Sequence, residues 1–435
     1  MKDIIDIAEK IKSNLKFEFP YDVNTWITKM GMMMENYHKH TTWSNLIQKD
    51  SATDVIDFMK VLDSYNCKCL FSGEHGFQGE WLQIYDYCKM TLDEKTRKKM
   101  GLQNPLLFRY STEAYWVKDR LKEYPNGINE KTGENKYIRD RSNCHIIIVA
   151  RNYHAMRKLN YALSKASTDG FYGKPRIDLE LLFQFTKDEI YVTSACLAGW
   201  KYDDAKEIWL DIWRHFGDSF FLEYQTHNTE PQKKLNKLIS EMAKEYNIQT
   251  IIGLDTHYIN DEDRIKRDNL LQRKGMFYSD EVGWYMDFPK GKEVYRRMKE
   301  QNILNDEEII TSMMNTHVFI NGCENLCLNT DFKIPILEEY QKYDYPKRVE
   351  ILKNILDENF KKEDEEHQTK DRHEGMIYEL GEIDGSTTAD YFLTNYGIIN
   401  LATSDKYNGL LTTTSRGSAS SYYSSKLLGF TTMDR

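Results

Sequence analysis

Two histidines one residue apart, His38 and His40 in Asn36-Tyr37-His38-Lys39-His40-Thr41-Thr42-Trp43-Ser44, are the residues of this sequence best placed to do chemistry. On an extended segment, side chains two positions apart point to the same side, so both imidazoles can share one metal site. Other residues of ligand type recur beside short apolar runs. Glu74 and His75 follow Cys69-Leu70-Phe71, Glu113 lies in TEAYW, and His145 precedes Ile146-Ile147-Ile148-Val149. Cys196 lies in TSACLAG, and Asp255 and His257 follow Ile251-Ile252-Gly253-Leu254. Imidazole, carboxylate and thiolate ligands together suit Zn²⁺, with Mn²⁺ or Fe²⁺ at oxygen-rich positions.

Such a set needs a scaffold that delivers side chains from distant parts of the chain to one place. From about residue 35 to 270, β-prone runs alternate with helical stretches at Ala52 to Ser64, Trp81 to Met90, Tyr153 to Ser167 and Pro231 to Tyr246. That alternation predicts an α/β fold with a largely parallel sheet or barrel, whose functional groups collect at the C-terminal ends of strands. His75, Cys196 and Asp255 follow strands and obey this rule, whereas His145 stands ahead of its strand and does not. Thr91 to Gln103 and Leu121 to Arg141, with turn signals at Pro125-Asn126-Gly127 and Lys131-Thr132-Gly133, read as solvated loops. Residues 1–30 read as a helical extension, with Ile4, Ile5, Ala8, Ile11 and Leu15 at helical spacing.

The 435 residues exceed what one core usually serves, and 40% hydrophobic with 13% aromatic content marks a folded protein. A net charge of −9 argues only mildly against nucleic-acid binding, because carboxylate ligands count as negative until metal arrives. No apolar run reaches membrane-span length, and MKDIIDIAEKIK lacks the apolar core of a secretory signal. Seven cysteines without framework spacing read as reduced thiols, so a cytoplasmic protein is expected, in a bacterial host cytoplasm if the gene is phage-borne.

Taken in order, HKHTTWS, GEHGFQGEW, EAYWVKDR, NCHIIIVARN, GFYGKPRIDLELL, IYVTSACLAG and LDTHYINDED resemble the motifs of the polymerase and histidinol phosphatase (PHP) domain. More narrowly, they are similar to the version that opens the α subunit of C-family bacterial replicative polymerases. DNLLQRKG, NTHVFINGCENL and LLTTTSRGSASSYYSSKLLGFTTMDR are similar to the segment in which that family's palm begins. The resemblance implies a PHP-type distorted β/α barrel over 31–270, a helical connection over 271–340 and a partial α+β palm over 341–435. It implies up to three Zn²⁺ or Mn²⁺ ions held by His38, His40, His75, Glu113, His145, Cys196, Asp255 and His257, with Asp255, His257 and His145 carrying phosphodiester hydrolysis. The family's further aspartate falls on Ile47, and Asp50 is the nearest acid; the aspartate usual before His75 is Glu74 here.

The family's nucleotide loop matches Arg416, Gly417 and Ser418, where bare backbone N–H groups, a hydroxyl and a guanidinium suit a triphosphate. Implied partners are DNA primer-template and deoxynucleoside triphosphates, with Mg²⁺ for polymerisation. The family's Pro-Asp-x-Asp-x-Asp pattern does not occur in the sequence; Pro175 to Glu180 resembles it only superficially, and Asp261 with Asp263 reads as acid at a helix start. The expectation is therefore a split polymerase whose aspartates lie on a second polypeptide, with no polymerisation by this chain alone. The alternatives are a scaffold module whose metals only brace the fold, and a free-standing PHP phosphoesterase. Isolated His154, His215, His227 and His317 read as surface or core residues, and Cys323 with Cys327 as a helix face.

Overall fold

The computed structural model describes residues 2–129, 131–276, 283–411 and 417–433. Nine strands are found among them: β1 (Cys69–Ser72), β2 (Leu107–Trp116), β3 (Glu123–Ile128), β4 (Asn135–Arg139), β5 (Cys144–Ala150), β6 (Arg176–Ile177), β7 (Ile190–Thr193), β8 (Phe220–Gln225) and β9 (Thr250–Gly253). Seven form one sheet in the order β1-β2-β5-β7-β8-β9, with β6 paired to β2. The β1–β2, β7–β8 and β8–β9 pairs are parallel, while β5 runs antiparallel to both its neighbours.

The sheet curls into an incomplete barrel, and the chain from Glu35 to His40 lies between its two outermost strands. On one side Thr256 N–H donates to His38 O (3.1 Å) and His40 N–H to Thr256 O (2.7 Å), just beyond β9. On the other side the buried Glu35 carboxylate accepts the Lys68 and Cys69 N–H groups at the start of β1. Close approach requires glycine at the end of β1, since a Cβ on Gly73 would stand 3.0 Å from Lys39 O. The paired histidines are thereby fixed at the rim of the sheet.

Both faces of the sheet are covered, which explains why its strands read as continuous apolar runs rather than alternating ones. Tyr37, Phe71, Ile147, Val149, Tyr191, Phe221 and Ile251 pack together around Phe319 of the short helix Val318–Asn321. The carbonyls of Phe319 and Ile320, left open at that helix end, accept hydrogen bonds from buried Arg109 at 2.6 and 2.7 Å. Helix Tyr153–Thr168 starts at Asn152, whose side chain caps the Ala155 N–H, and buries Leu159, Ala162, Leu163 and Ala166. No helix among the described residues is long and apolar enough to cross a membrane.

Two compact units are present, Met1–Cys327 and Leu328–Arg435. The N-terminal helix Lys2–Lys12 buries Ala8 and Ile11 and packs on helix Asp306–Asn315, so residues 1–30 belong to the first unit. Much of the expected helical connection belongs there too. A Cβ on Gly291, at the start of helix Gly291–Glu300, would meet Met32 O at 1.8 Å.

The second unit holds helices Tyr345–Phe360, Lys370–Gly385 and Ala389–Thr403; where an α+β palm was expected, no strand occurs among its described residues. The charged stretch Lys342 to His373 contributes Leu352 and Leu356 to a core with Met376, Leu380, Phe392 and Leu393. One apolar face on an otherwise charged helix is enough for that. Two expected loops are also partly structured: Glu94–Lys99 is helical, and β3 and β4 form an exposed antiparallel hairpin with a register shift between Pro125 and Ile128.

Candidate metal centre

Each sequence-inferred ligand reaches the same rim. His75 follows β1 and bridges to Glu113 in β2; Cys196 follows β7, and Asp255 follows β9. His145 is the second residue of β5, opposite Tyr115 in β2. Because β5 runs antiparallel, its beginning lies where the parallel strands end, so a residue early in that strand joins groups that follow the others. The turns at this rim are strained. Ala195 (φ 53°) and Asp255 (φ 46°) occupy the left-handed region without being glycine, at a cost of about 1–3 kcal/mol each.

Three groups of ligand atoms converge: His40, His75 and His257; His38, His40 and Asp255; and Glu113, His145 and Cys196. Glu113 ties them together. Its Oε1 lies 2.7 Å from His145 Nδ1 and 3.3 Å from His38 Nε2, and its Oε2 lies 2.7 Å from His75 Nδ1 and 3.1 Å from His40 Nε2. Asp255 Oδ1 stands 3.2 Å from His38 Nε2 and 3.3 Å from His40 Nε2. Cys196 Sγ is 3.4 Å from His145 Nδ1. Asp50, left open by spacing, enters the cluster as well, with Oδ2 3.3 Å from His257 Nε2 and 3.4 Å from His75 Nε2.

The donor set fits divalent metal. His38 Nε2, His40 Nε2, both His75 nitrogens, Asp50 Oδ1, Glu113 Oε2 and Asp255 Oδ1 are buried and, although most stand within ion-pair distance of one another, none makes a hydrogen bond of good geometry. Orphaned polar atoms of this kind are rare and costly unless something else satisfies them. Burial alone would raise the Asp50, Glu113 and Asp255 carboxyls, but the neighbouring imidazoles outweigh it and hold all three well below the usual carboxylate range. Burial opposes charge on His75 too, yet Glu113 and Asp50 push its pKa up to about 10. Burial raises the Cys196 thiol, and the Asp255 and Glu113 carboxylates add to the rise. Metal entering the cluster would displace protons from these groups.

Two acids act around the cluster rather than in it. Glu223 of β8 is fully buried; its Oε1 lies 2.7 Å from His38 Nδ1, while Tyr37 and Thr193 donate their hydroxyls to Oε2 at 2.8 Å each. A carboxylate there fixes the proton on Nδ1 and leaves the Nε2 lone pair for a metal. Glu223 was not among the residues inferred from the sequence, although a lone acid directly after the apolar run Phe220-Phe221-Leu222 is a visible signal. Glu74 clamps the loop after the histidine pair, accepting from Thr41 N–H (3.0 Å), the Thr41 hydroxyl (2.7 Å), the Ser44 hydroxyl and Lys39 Nζ (3.2 Å).

Of the four histidines read as isolated, His317 is buried with Nε2 on Met33 O at 2.9 Å. His227 is buried, accepts the Tyr285 N–H at 3.0 Å and stacks on Trp284 at 4.6 Å. Cys323 packs in the core around Phe319. Arg416 of the expected nucleotide loop lies outside the described residues; Gly417 is exposed with φ 90°, and Ser418 opens a short 3₁₀ turn, Ser418–Ser421.

A family model described as the PHP domain matches residues 36–227. The chain is 27% identical to DNA polymerase III subunit alpha of Aquifex aeolicus over 425 residues, covering 91% of this chain and 33% of that protein. It is 35% identical to DNA polymerase III subunit alpha of Treponema pallidum over 29% of this chain and 12% of that protein. It is 24% identical to Probable DNA polymerase YorL of Bacillus subtilis, over 90% of this chain and 34% of that protein. The chain thus spans about a third of the length of relatives that it matches along most of its own length.

Proposed function

From a chain that carries a PHP domain and is similar along most of its length to polymerase III alpha subunits, we propose a metal-dependent phosphodiesterase. It acts at DNA 3′ ends, as a proofreading exonuclease does, within a replicative polymerase of the C family. The observation that carries this reading is the convergence of buried ligand atoms on His38, His40, His75, Asp50, Glu113 and Asp255 that lack a well-formed hydrogen bond. These residues, with His145, Cys196 and His257, would hold two or three Zn²⁺ or Mn²⁺ ions, which when bound supply an acidified water and stabilise charge on the leaving oxygen.

The chain's own residues set the conditions for that chemistry. Asp50, Glu113 and Asp255 stay ionised in a site that burial closes to bulk water, so their charges act at low dielectric. Glu223 and Glu74 hold His38 and the His40 loop in place, so binding requires little rearrangement. Similarity to polymerase subunits also supports DNA primer-template and deoxynucleoside triphosphates as partners, with Arg416, Gly417 and Ser418 as the nucleotide contact and Mg²⁺ as the polymerising ion.

Near-complete burial favours a second reading, in which the ions brace the barrel and cleave nothing. The test is hydrolysis of 3′-labelled single-stranded DNA and of bis(4-nitrophenyl) phosphate by manganese-loaded protein. The proposal expects slow cleavage, abolished by Asp255→Asn; intact substrates with metal bound would leave the bracing role.

A further inference from the structure

Among the described residues, one cation at the edge of the cluster has no acidic partner. Lys174 belongs to the loop that links helix Tyr153–Thr168 to β6, which pairs with β2 through Tyr115 and Arg176. The loop is wedged against the residue after His75: a Cβ on Gly76 would lie 2.8 Å from Tyr115 Cδ2 and 3.2 Å from Pro175 Cγ. Buried Arg176 anchors its far side by donating from Nε to Gly170 O at 2.9 Å. Lys174 is thus carried to the rim by rigid parts of the fold.

Its ammonium donates to Gln48 Oε1 at 2.7 Å and to the Tyr115 hydroxyl at 2.8 Å, both neutral acceptors. Each acceptor leads into the cluster. Gln48 Nε2 donates to Asp50 Oδ2 at 2.6 Å, and the Tyr115 ring stacks on His75 (5.9 Å between centroids) and meets His145 edge-on (5.2 Å). Among the described residues no carboxylate lies within ion-pair distance of Lys174, unlike the lysines at positions 39, 118 and 158. An ammonium has three donors, and two are used here. Burial lowers the Lys174 pKa to about 8, against the pull of Asp50 and Glu113, so the lone cation carries a desolvation cost that an arriving anion would relieve.

We propose that Lys174 binds a nonbridging oxygen of the substrate's phosphate, holding a phosphodiester or phosphate group against the metal centre. Tyr115 and Gln48 orient the ammonium, and a charge-assisted hydrogen bond to phosphate forms in a partly desolvated pocket, where such bonds are strong. The inference rests on the phosphoesterase reading for the identity of the substrate, but its test reads phosphate binding independently of cleavage.

Inorganic phosphate is titrated calorimetrically into the manganese-loaded full chain and into its Lys174→Gln and Lys174→Arg variants, with metal content and thermal midpoint measured on each. Lys174→Gln should weaken phosphate affinity about tenfold or more, with metal per chain and midpoint unchanged. Lys174→Arg should recover most of the loss, because it restores the charge. Unchanged phosphate affinity in Lys174→Gln would overturn the proposal, as would a matching fall in metal content, which would make Lys174 a brace for the cluster. Lys174-dependent phosphate binding by a wild-type chain that cleaves no diester would uphold the phosphate contact while refuting the hydrolytic reading.

Discussion

Replacing Glu223 by glutamine tests whether the acid behind His38 tunes the metal centre. The substitution keeps the shape and removes the charge. Oε1 can remain an acceptor for His38 Nδ1, and the Tyr37 and Thr193 hydroxyls, each 2.8 Å from Oε2, can rotate to accept from the new amide. Folding should therefore survive. What is lost is the anion that makes His38 a stronger ligand and fixes its tautomer, an effect typically worth about 10- to 100-fold in metal affinity, or ~1.4–2.7 kcal/mol. Competition between the protein and a chromogenic chelator for Zn²⁺ or Mn²⁺ measures it directly. Gly253→Ala provides an independent route to the same defect, because its Cβ would stand 2.0 Å from Glu223 Oε1 and must displace that carboxylate. Wild-type metal affinity in a well-folded Glu223→Gln protein would refute the reasoning.

Two further outcomes follow from other parts of the first unit. Asp50→Asn should remove the carboxylate that faces His75 and His257 and release about one ion per chain, read by elemental analysis, while the Glu113, His145 and Cys196 group keeps its metal. His317, buried among Phe19, Tyr21 and Trp26, has its pKa lowered by burial to about 3. The unfolded chain takes up that proton below about pH 6.5 and the folded chain does not, so stability present above pH 6.5 is lost as pH falls toward 3, by about 2 kcal/mol at pH 5. Denaturant midpoints at pH 7 and 5 check this, and His317→Phe should flatten the pH dependence; an equally steep loss in that variant would assign it to other groups.

The parts of the fold legible in the sequence are those set by local pattern. Helices expected from Ala52 to Ser64, Trp81 to Met90, Tyr153 to Ser167 and Pro231 to Tyr246 are found at Val55–Ser64, Trp81–Met90, Tyr153–Thr168 and Glu230–Tyr246, because apolar spacing and caps are short-range signals. Strand direction is not short-range. His145 looked misplaced only because one antiparallel strand among mostly parallel ones puts its beginning at the rim where the other ligand-type residues gather. Asp50 could not be assigned by spacing, since the turn Thr42–Leu46 and the bend after it decide which acid reaches His75. Glu223 was hidden for the opposite reason: it lies inside a strand, four positions before the next residue singled out, and its role appears only when β8 stands beside the histidine pair. The hairpin β3–β4 was obscured by Pro125 and Gly127, turn residues that here sit in an irregular exposed strand.

The buried imidazoles and carboxylates at the barrel rim would together hold several metal ions. Elemental analysis of the purified chain, paired with its thermal unfolding before and after exhaustive chelation, tests this most directly. The expected result is about two to three transition-metal ions per chain, at least one of them lost in the His38→Ala, His40→Ala double variant, and a lower unfolding temperature after chelation. A metal-free chain that refuses Zn²⁺ and Mn²⁺ and unfolds at the same temperature with or without chelator would contradict it.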